Sequence, residues 1–211
     1  MTGRPPHRVA VFGATSPTGR AFLEAANAEG WHTSALVRDA DRLAGIYVDS
    51  VLTGSVFDPT DVETAIGVAD TVLIALGLKG DRRTPLYSSG TATIVEAMKA
   101  RGARRLLVLS EAAYGQHSVG LVSGVVRRGY AAVAGPILAE RRRQDGIVEA
   151  SGLDWTTVRI KILSDGHGTD KAIPHHVPQG LIVARTLRTA FVTMLLDLVD
   201  DRSAFGRNVY P

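Results

Sequence analysis

One local pattern constrains this chain more than any other. Arg8-Val-Ala-Val-Phe12 runs directly into Gly13-Ala-Thr-Ser-Pro-Thr-Gly19. A short apolar run ending in glycine is the pattern of a fully buried parallel strand. The stretch after it, Thr18 to Glu29, carries Ala21, Phe22, Ala25 and Ala26 at helical spacing and stops at Gly30. Strand, glycine loop and helix in that order meet three needs of a dinucleotide pyrophosphate: a tight turn, backbone close to the phosphates, and a helix N-terminus aimed at them. Gly13 supplies the turn and Gly19 the close helix–strand packing. Thr15, Ser16 and Thr18 add hydroxyls, and Pro17 suits a helix start, where its missing N–H matters least. A glycine motif alone is weak; at the first turn of a repeating strand–helix pattern it predicts nucleotide binding.

That pattern repeats. Strands are expected at His32–Val37, Val48–Thr53, Thr71–Leu76 and Arg105–Leu109. Asp58-Pro59-Thr60-Asp61 reads as a helix start, and a long helix is expected from Leu86 to Ala100. Strands alternating with helices indicate a parallel α/β sheet, and right-handed crossovers make it doubly wound, with helices on both faces. Further on, the sequence predicts a helix from Ile137 to Ala150, a sixth strand at Trp155–Ile160, a last helix at Leu187–Val199 and a final strand within Gly206–Tyr210. Residues 115–136 are glycine-rich, so helix is weak there, because each interior Gly costs about 1 kcal/mol relative to Ala. Residues 164–180 read as a loop too long for a mere connection. These two segments are expected to wall a small C-terminal substrate-binding portion.

The 211 residues suit a single domain, residues 1–211, built as a Rossmann-type sheet. With no cysteine, thiolate chemistry, thiolate metal sites and disulfides are excluded. The most apolar long stretch, Val119 to Leu138, is broken by Arg127 and Arg128, and the N-terminus lacks a signal-peptide core. A cytoplasmic protein without a membrane partner is the expectation. Lys and Arg exceed Asp and Glu by only three, and the Arg clusters are scattered among acids without interleaved aromatics, so no nucleic-acid partner is expected.

The end of the second strand discriminates between cofactors. An acid there would bond the ribose hydroxyls of NAD; here Arg38 stands at that end, suited to the 2′-phosphate of NADP(H). NADP(H) is therefore the preferred cofactor, and Asp39 leaves NAD(H) open. Arg20, just inside the first helix, is expected to add charge.

Taken in order, VFGATSPTGR, ALVRD, GSVFDPTDVETAIGVADTVLIALG, LVLSEAAYG and SGLDWTTVRIKILSDG resemble an atypical short-chain dehydrogenase/reductase. The nearest groups are NAD(P)H-binding proteins related to biliverdin reductase B/flavin reductase and to NmrA, and the likeness spans residues 8 to 210. Family members commonly carry GATGxxG, where this chain has Ser16 for the middle Gly. The resemblance implies that Ser55 and Val56 line the adenine, and that Ala75, Leu76 and Gly77 pass along the ribose. It also implies that Ser110 lies near the nicotinamide and that Ile160 to Leu163, including Ile162, pack against its amide.

The Tyr with a Lys one helical turn on, common in the larger superfamily, is absent. Val51, Thr91, Ser118 and Ala134 follow Tyr47, Tyr87, Tyr114 and Tyr130 at that spacing. Catalytic candidates then come from position, because strand C-termini face the site in open α/β sheets. Ser110 is a candidate hydrogen-bond donor to a substrate carbonyl, Tyr114 a candidate proton donor, and Lys161 a candidate for binding the carboxamide or an anionic substrate. His175-His176 lacks neighbouring acids, so no metal is expected; His167 and His175 are minor candidates on the substrate loop. The expected function is NADPH-dependent reduction of a small carbonyl, quinone, flavin or similar molecule by a monomer or homodimer. A cofactor-sensing NmrA-like regulator and a non-redox cyclase or isomerase are the alternatives.

Overall fold

The computed structural model describes residues 6–77, 85–111, 121–160, 162–166, 172–176 and 185–211, with the backbone only at 111 and 121–134. Seven strands form one parallel sheet: β1 (Arg8–Phe12), β2 (His32–Val37), β3 (Ser50–Thr53), β4 (Thr71–Ile74), β5 (Arg105–Glu111), β6 (Asp154–Ile160) and β9 (Arg207–Val209). Their order is β3-β2-β1-β4-β5-β6-β9, so the winding reverses between β1 and β4. β7 (Ile162–Ser164) and β8 (Arg185–Leu187) make a separate parallel pair.

Alternation along each buried strand divides the apolar residues between two cores. Val9 and Val11 of β1 join Phe22, Leu23, Phe191, Leu195 and Leu198 on the face covered by α1 (Pro17–Ala28) and α5 (Arg188–Asp200). Ala10 and Phe12 point the other way, onto Val62, Ile66, Ile94, Met98 and Val148. That second face is covered by α2 (Pro59–Ile66), α3 (Leu86–Arg101) and α4 (Leu121–Glu149). A continuously apolar strand thus serves two helical layers, as a doubly wound sheet requires.

Several boundaries differ from the sequence reading for identifiable reasons. β3 begins at Ser50 rather than Val48, because the Asp49 carboxylate accepts the Thr33 amide at 2.7 Å and replaces a ladder bond there. The helix expected from Ile137 is the second half of α4, which runs unbroken from Leu121 through Pro136. Its C-terminal half is fastened to α3, where Glu140 accepts the Ser88 hydroxyl at 2.8 Å and Gln144 donates to Thr91 at 2.9 Å. Tertiary docking anchors this half of the helix. The expected loop 164–180 begins within β7, and His175 forms an antiparallel bridge to Tyr210. α5 starts at Arg188, one residue later than expected, with Leu187 supplying no side-chain cap. Among the described residues, no helix is long and apolar enough to cross a membrane.

Candidate cofactor and active site

The glycine loop sits at the C-terminal end of β1, beside the segment that follows β4. Gly13 has φ +92°, and a Cβ there would lie 2.3 Å from the Ala75 carbonyl oxygen. A Cβ on Gly19 would lie 2.4 Å from the Gly13 carbonyl oxygen. Both glycines are therefore required by close backbone approach, as the motif predicted. Ser16 is explained by its conformation. It is extended, at φ −73° and ψ 154°, so the position needs no glycine. Its amide donates to Gly13 O at 2.9 Å, and its Oγ accepts the Gly19 amide at 3.0 Å. Ser16 is thus the N-cap of α1, with Pro17 behind it and no acid in the first turn, which leaves the helix end free to meet an anion.

A cavity of about 350 Å³ opens over this loop. Of the sequence candidates it brings together Gly13, Thr15, Ser16, Pro17, Arg38, Ser55, Val56, Leu76 and Gly77. Ala75 is buried just behind the wall, and Thr18 and Gly19 are buried in the first turn of α1. The Gly54–Phe57 wall is set by α2. Asp61 accepts the Ser55 amide at 2.9 Å, and a Cβ on Gly54 would run into that carboxylate at 2.4 Å. Gly90 of α3 leaves room for Val56 and Leu76 to pack against the helix.

Sequence reasoning missed Arg42, Phe57 and Leu86, which also line the cavity. Arg42 lies in a single 3₁₀ turn over Ala40–Leu43, capped by Asp39, whose carboxylate accepts the Asp41 amide at 3.1 Å. Asp39 is thereby engaged in shaping the turn. Arg20 does not offer its charge to the cavity as expected: its guanidinium donates to the carbonyls of Arg42 and Ala44. Arg20 holds the turn that presents Arg42. The only sequence signal for this was the pair of Arg residues one helical turn apart after β2.

Ser110, one residue before the end of β5, is 1 % exposed and does not line this cavity. It faces α3 and α4, and Arg159 Nη1 donates to its Oγ at 3.0 Å. Ile160 packs on the α1/α5 core, and Ile162, in β7, is half exposed. Arg188 joins the N-terminal turn of α1 to the segment after β7, donating to Thr18 Oγ1 at 2.9 Å and to Asp165 at 2.7 Å. That salt bridge holds the Asp165 carboxyl below its usual range. Tyr114, Lys161 and His167 lie outside the described residues, as do most of the expected substrate walls 115–136 and 164–180 at the side-chain level.

A doubly wound parallel sheet with a glycine turn and paired cations at its topological switch defines a Rossmann-type dinucleotide-binding protein. The chain belongs to the NAD(P)H-binding family, whose model matches residues 13–189. Among curated relatives, a 3-diazoavenalumate denitrifying reductase from Streptomyces sp is 37 % identical over 115 residues, covering 49 % of this chain and 37 % of that protein. The matched part is thus little more than a third of that relative's length. Two solved structures share the fold. A short-chain dehydrogenase/reductase from Veillonella parvula, in complex with NADP, has a TM-score of 0.76 at 18 % identity, over 97 % of this chain and 93 % of that one. ChuY, an anaerobillin reductase from Escherichia coli O157:H7, has a TM-score of 0.75 at 22 % identity, over 96 % and 95 % of the two chains.

Proposed function

We propose that the protein is an NADPH-dependent reductase of a small carbonyl, quinone, flavin or related aromatic acceptor. The observation that carries the cofactor preference is the pair Arg38 and Arg42 on one cavity with the glycine turn. Two guanidiniums suit a 2′-phosphate and have no such partner in NAD. The loop fits the rest of the cofactor: Gly13 and Gly19 let it close tightly against the segment after β4 and against itself, and the α1 N-terminus carries no acid. Bound NADPH would supply the hydride; the chain's own residues bind it, orient it and hold the acceptor.

Titration with NADPH and NADH, followed by nicotinamide fluorescence, tests the preference. NADPH binds at least tenfold tighter, since a charge-assisted hydrogen bond contributes about 1.5–3 kcal/mol. Arg38→Ala and Arg42→Ala each weaken NADPH binding and leave NADH binding nearly unchanged. Equal affinities in the wild type would overturn the preference. Wild-type protein is then offered quinones, flavins, ketones and an aryl diazonium. The diazonium is included because of the diazo-reducing relative; such an acceptor takes one hydride and yields the arene and dinitrogen. NADPH binding without oxidation by any acceptor would overturn the reductase reading and favour a cofactor-sensing or non-redox role.

A further inference from the structure

Arg20 reaches from the phosphate loop to the turn that carries Arg42. Its amide donates to Ser16 O at 2.9 Å, and it follows Gly19, which is packed on the Gly13 carbonyl. Its guanidinium donates to the carbonyls of Arg42 and Ala44. A 3₁₀ turn leaves its last carbonyls without partners inside the turn. Here the Ala44 amide takes Asp41 O and the Ile46 amide takes Leu43 O, both at 3.0 Å. Arg42 O and Ala44 O lie between and after these two, and Arg20 takes both.

The turn is thereby held at its start, its middle and its end. Asp39 caps the start, Leu43 is buried in the α1/α5 core, and Arg20 closes the end. Arg42 is an exposed side chain of this same turn and lines the cavity with Arg38. A long exposed arginine loses rotamer freedom when it grips a ligand, and a fixed backbone beneath it lowers that cost. Among the described residues, no carboxylate forms a salt bridge with Arg20, Arg38 or Arg42. Like charges without a counter-ion repel one another in the empty protein, and a phosphate entering between them relieves that repulsion.

Resting on the NADPH reading, we propose that Arg20 is the positioning residue for cofactor discrimination. By fixing the Arg42 turn to the phosphate loop, it sets the Arg42 guanidinium where a 2′-phosphate is met, without touching that phosphate itself. The diphosphate and 2′-phosphate subsites then move as one unit, because the same residue is bonded to the loop at Ser16 and to the turn at Arg42 and Ala44. Arg38 stands at the end of β2 and does not depend on this tether. A ligand without the 2′-phosphate is indifferent to Arg20.

Binding to the full-length protein tests this, with NADPH and NADH followed by nicotinamide fluorescence and 2′,5′-ADP and 5′-AMP by calorimetry. Arg20→Ala weakens NADPH and 2′,5′-ADP about tenfold and leaves NADH and 5′-AMP nearly unchanged. In an Arg42→Ala background the same substitution causes no further loss, whereas with Arg38→Ala the losses add. Arg20→Lys keeps the charge but reaches a single carbonyl, so it regains only part of the NADPH affinity. It also serves if Arg20→Ala does not fold, because its shortfall then appears with NADPH and not with NADH. Three results would overturn the assignment and leave the NADPH preference standing: unchanged NADPH affinity in Arg20→Ala, an equal loss for NADPH and NADH, or losses that add with Arg42→Ala. The last would mean that Arg20 meets the phosphate on its own. A wild type that binds NADPH and NADH equally would overturn both readings.

Discussion

Gly13 shows how much a single residue decides. Its φ of +92° is a left-handed conformation, and its missing Cβ is the space the Ala75 carbonyl occupies. Gly13→Ala therefore meets two costs: about 1–2 kcal/mol for the backbone alone, and displacement of Ala75 and Leu76 after β4, of which Leu76 lines the cavity. The expected outcome is a lower thermal midpoint together with loss of NADPH binding, read by calorimetry and fluorescence on the same preparation. Retention of full cofactor affinity would refute the role of this approach. Ser16 teaches the opposite lesson. In the family's usual loop a glycine stands there, yet the extended backbone and the N-cap bond to Gly19 show that serine meets the local requirement. The motif was legible as a string; which of its glycines are obligatory was decided by neighbouring backbone.

At the scale of elements, α2 is the clearest case of sequence dictating structure and structure serving the site. Asp58 accepts the amides of Thr60 and Asp61, Pro59 opens the first turn, and Asp61 reaches back to the Ser55 amide. Asp58→Ala should cost about 1 kcal/mol in urea unfolding without changing cofactor affinity. Asp61→Ala should weaken NADPH binding severalfold although it touches no ligand, because it frees the Ser55–Val56 wall. Equal NADPH affinities for wild type and Asp61→Ala would show that the wall is held by other contacts. α5 depends on a contact that the sequence did not announce. Arg105 at the start of β5 donates to the carbonyls of Leu198 and Val199 and lies 4.4 Å from the Phe205 ring centroid, capping the C-terminus of the helix from another strand. Burial pulls its pKa down to about 10, still charged at neutral pH. A sequence pattern places a basic residue beside a strand; it does not say which helix end that residue will meet.

The whole molecule joins these pieces through carboxylates held in their charged form. Asp49 lies below its ordinary 3.8, chiefly because it accepts the Thr33 amide, with Tyr47 and His32 adding to the effect against some burial. For Glu140 burial is the largest influence and pushes upward, but the bonds from Arg143 and Ser88 together outweigh it and the pKa falls below 4.5. A carboxyl lowered in the fold contributes stability that is complete above its unfolded value and is lost as pH falls through its folded value. The urea midpoint should therefore drop steadily from about pH 5 to about pH 3, and Asp49→Asn should flatten part of that slope. A midpoint independent of pH over that range would contradict the assignment. The sequence by itself determined the doubly wound parallel architecture, the glycine loop and Arg38, because strand burial, helix capping and turn chemistry are local and leave local marks. Only the tertiary structure decided that Arg42 joins Arg38, that Arg20 spends its charge on a turn, and that Arg159 stands behind Ser110. Those pairings depend on which distant strands and helices become neighbours, and a buried guanidinium looks in the sequence like any other arginine.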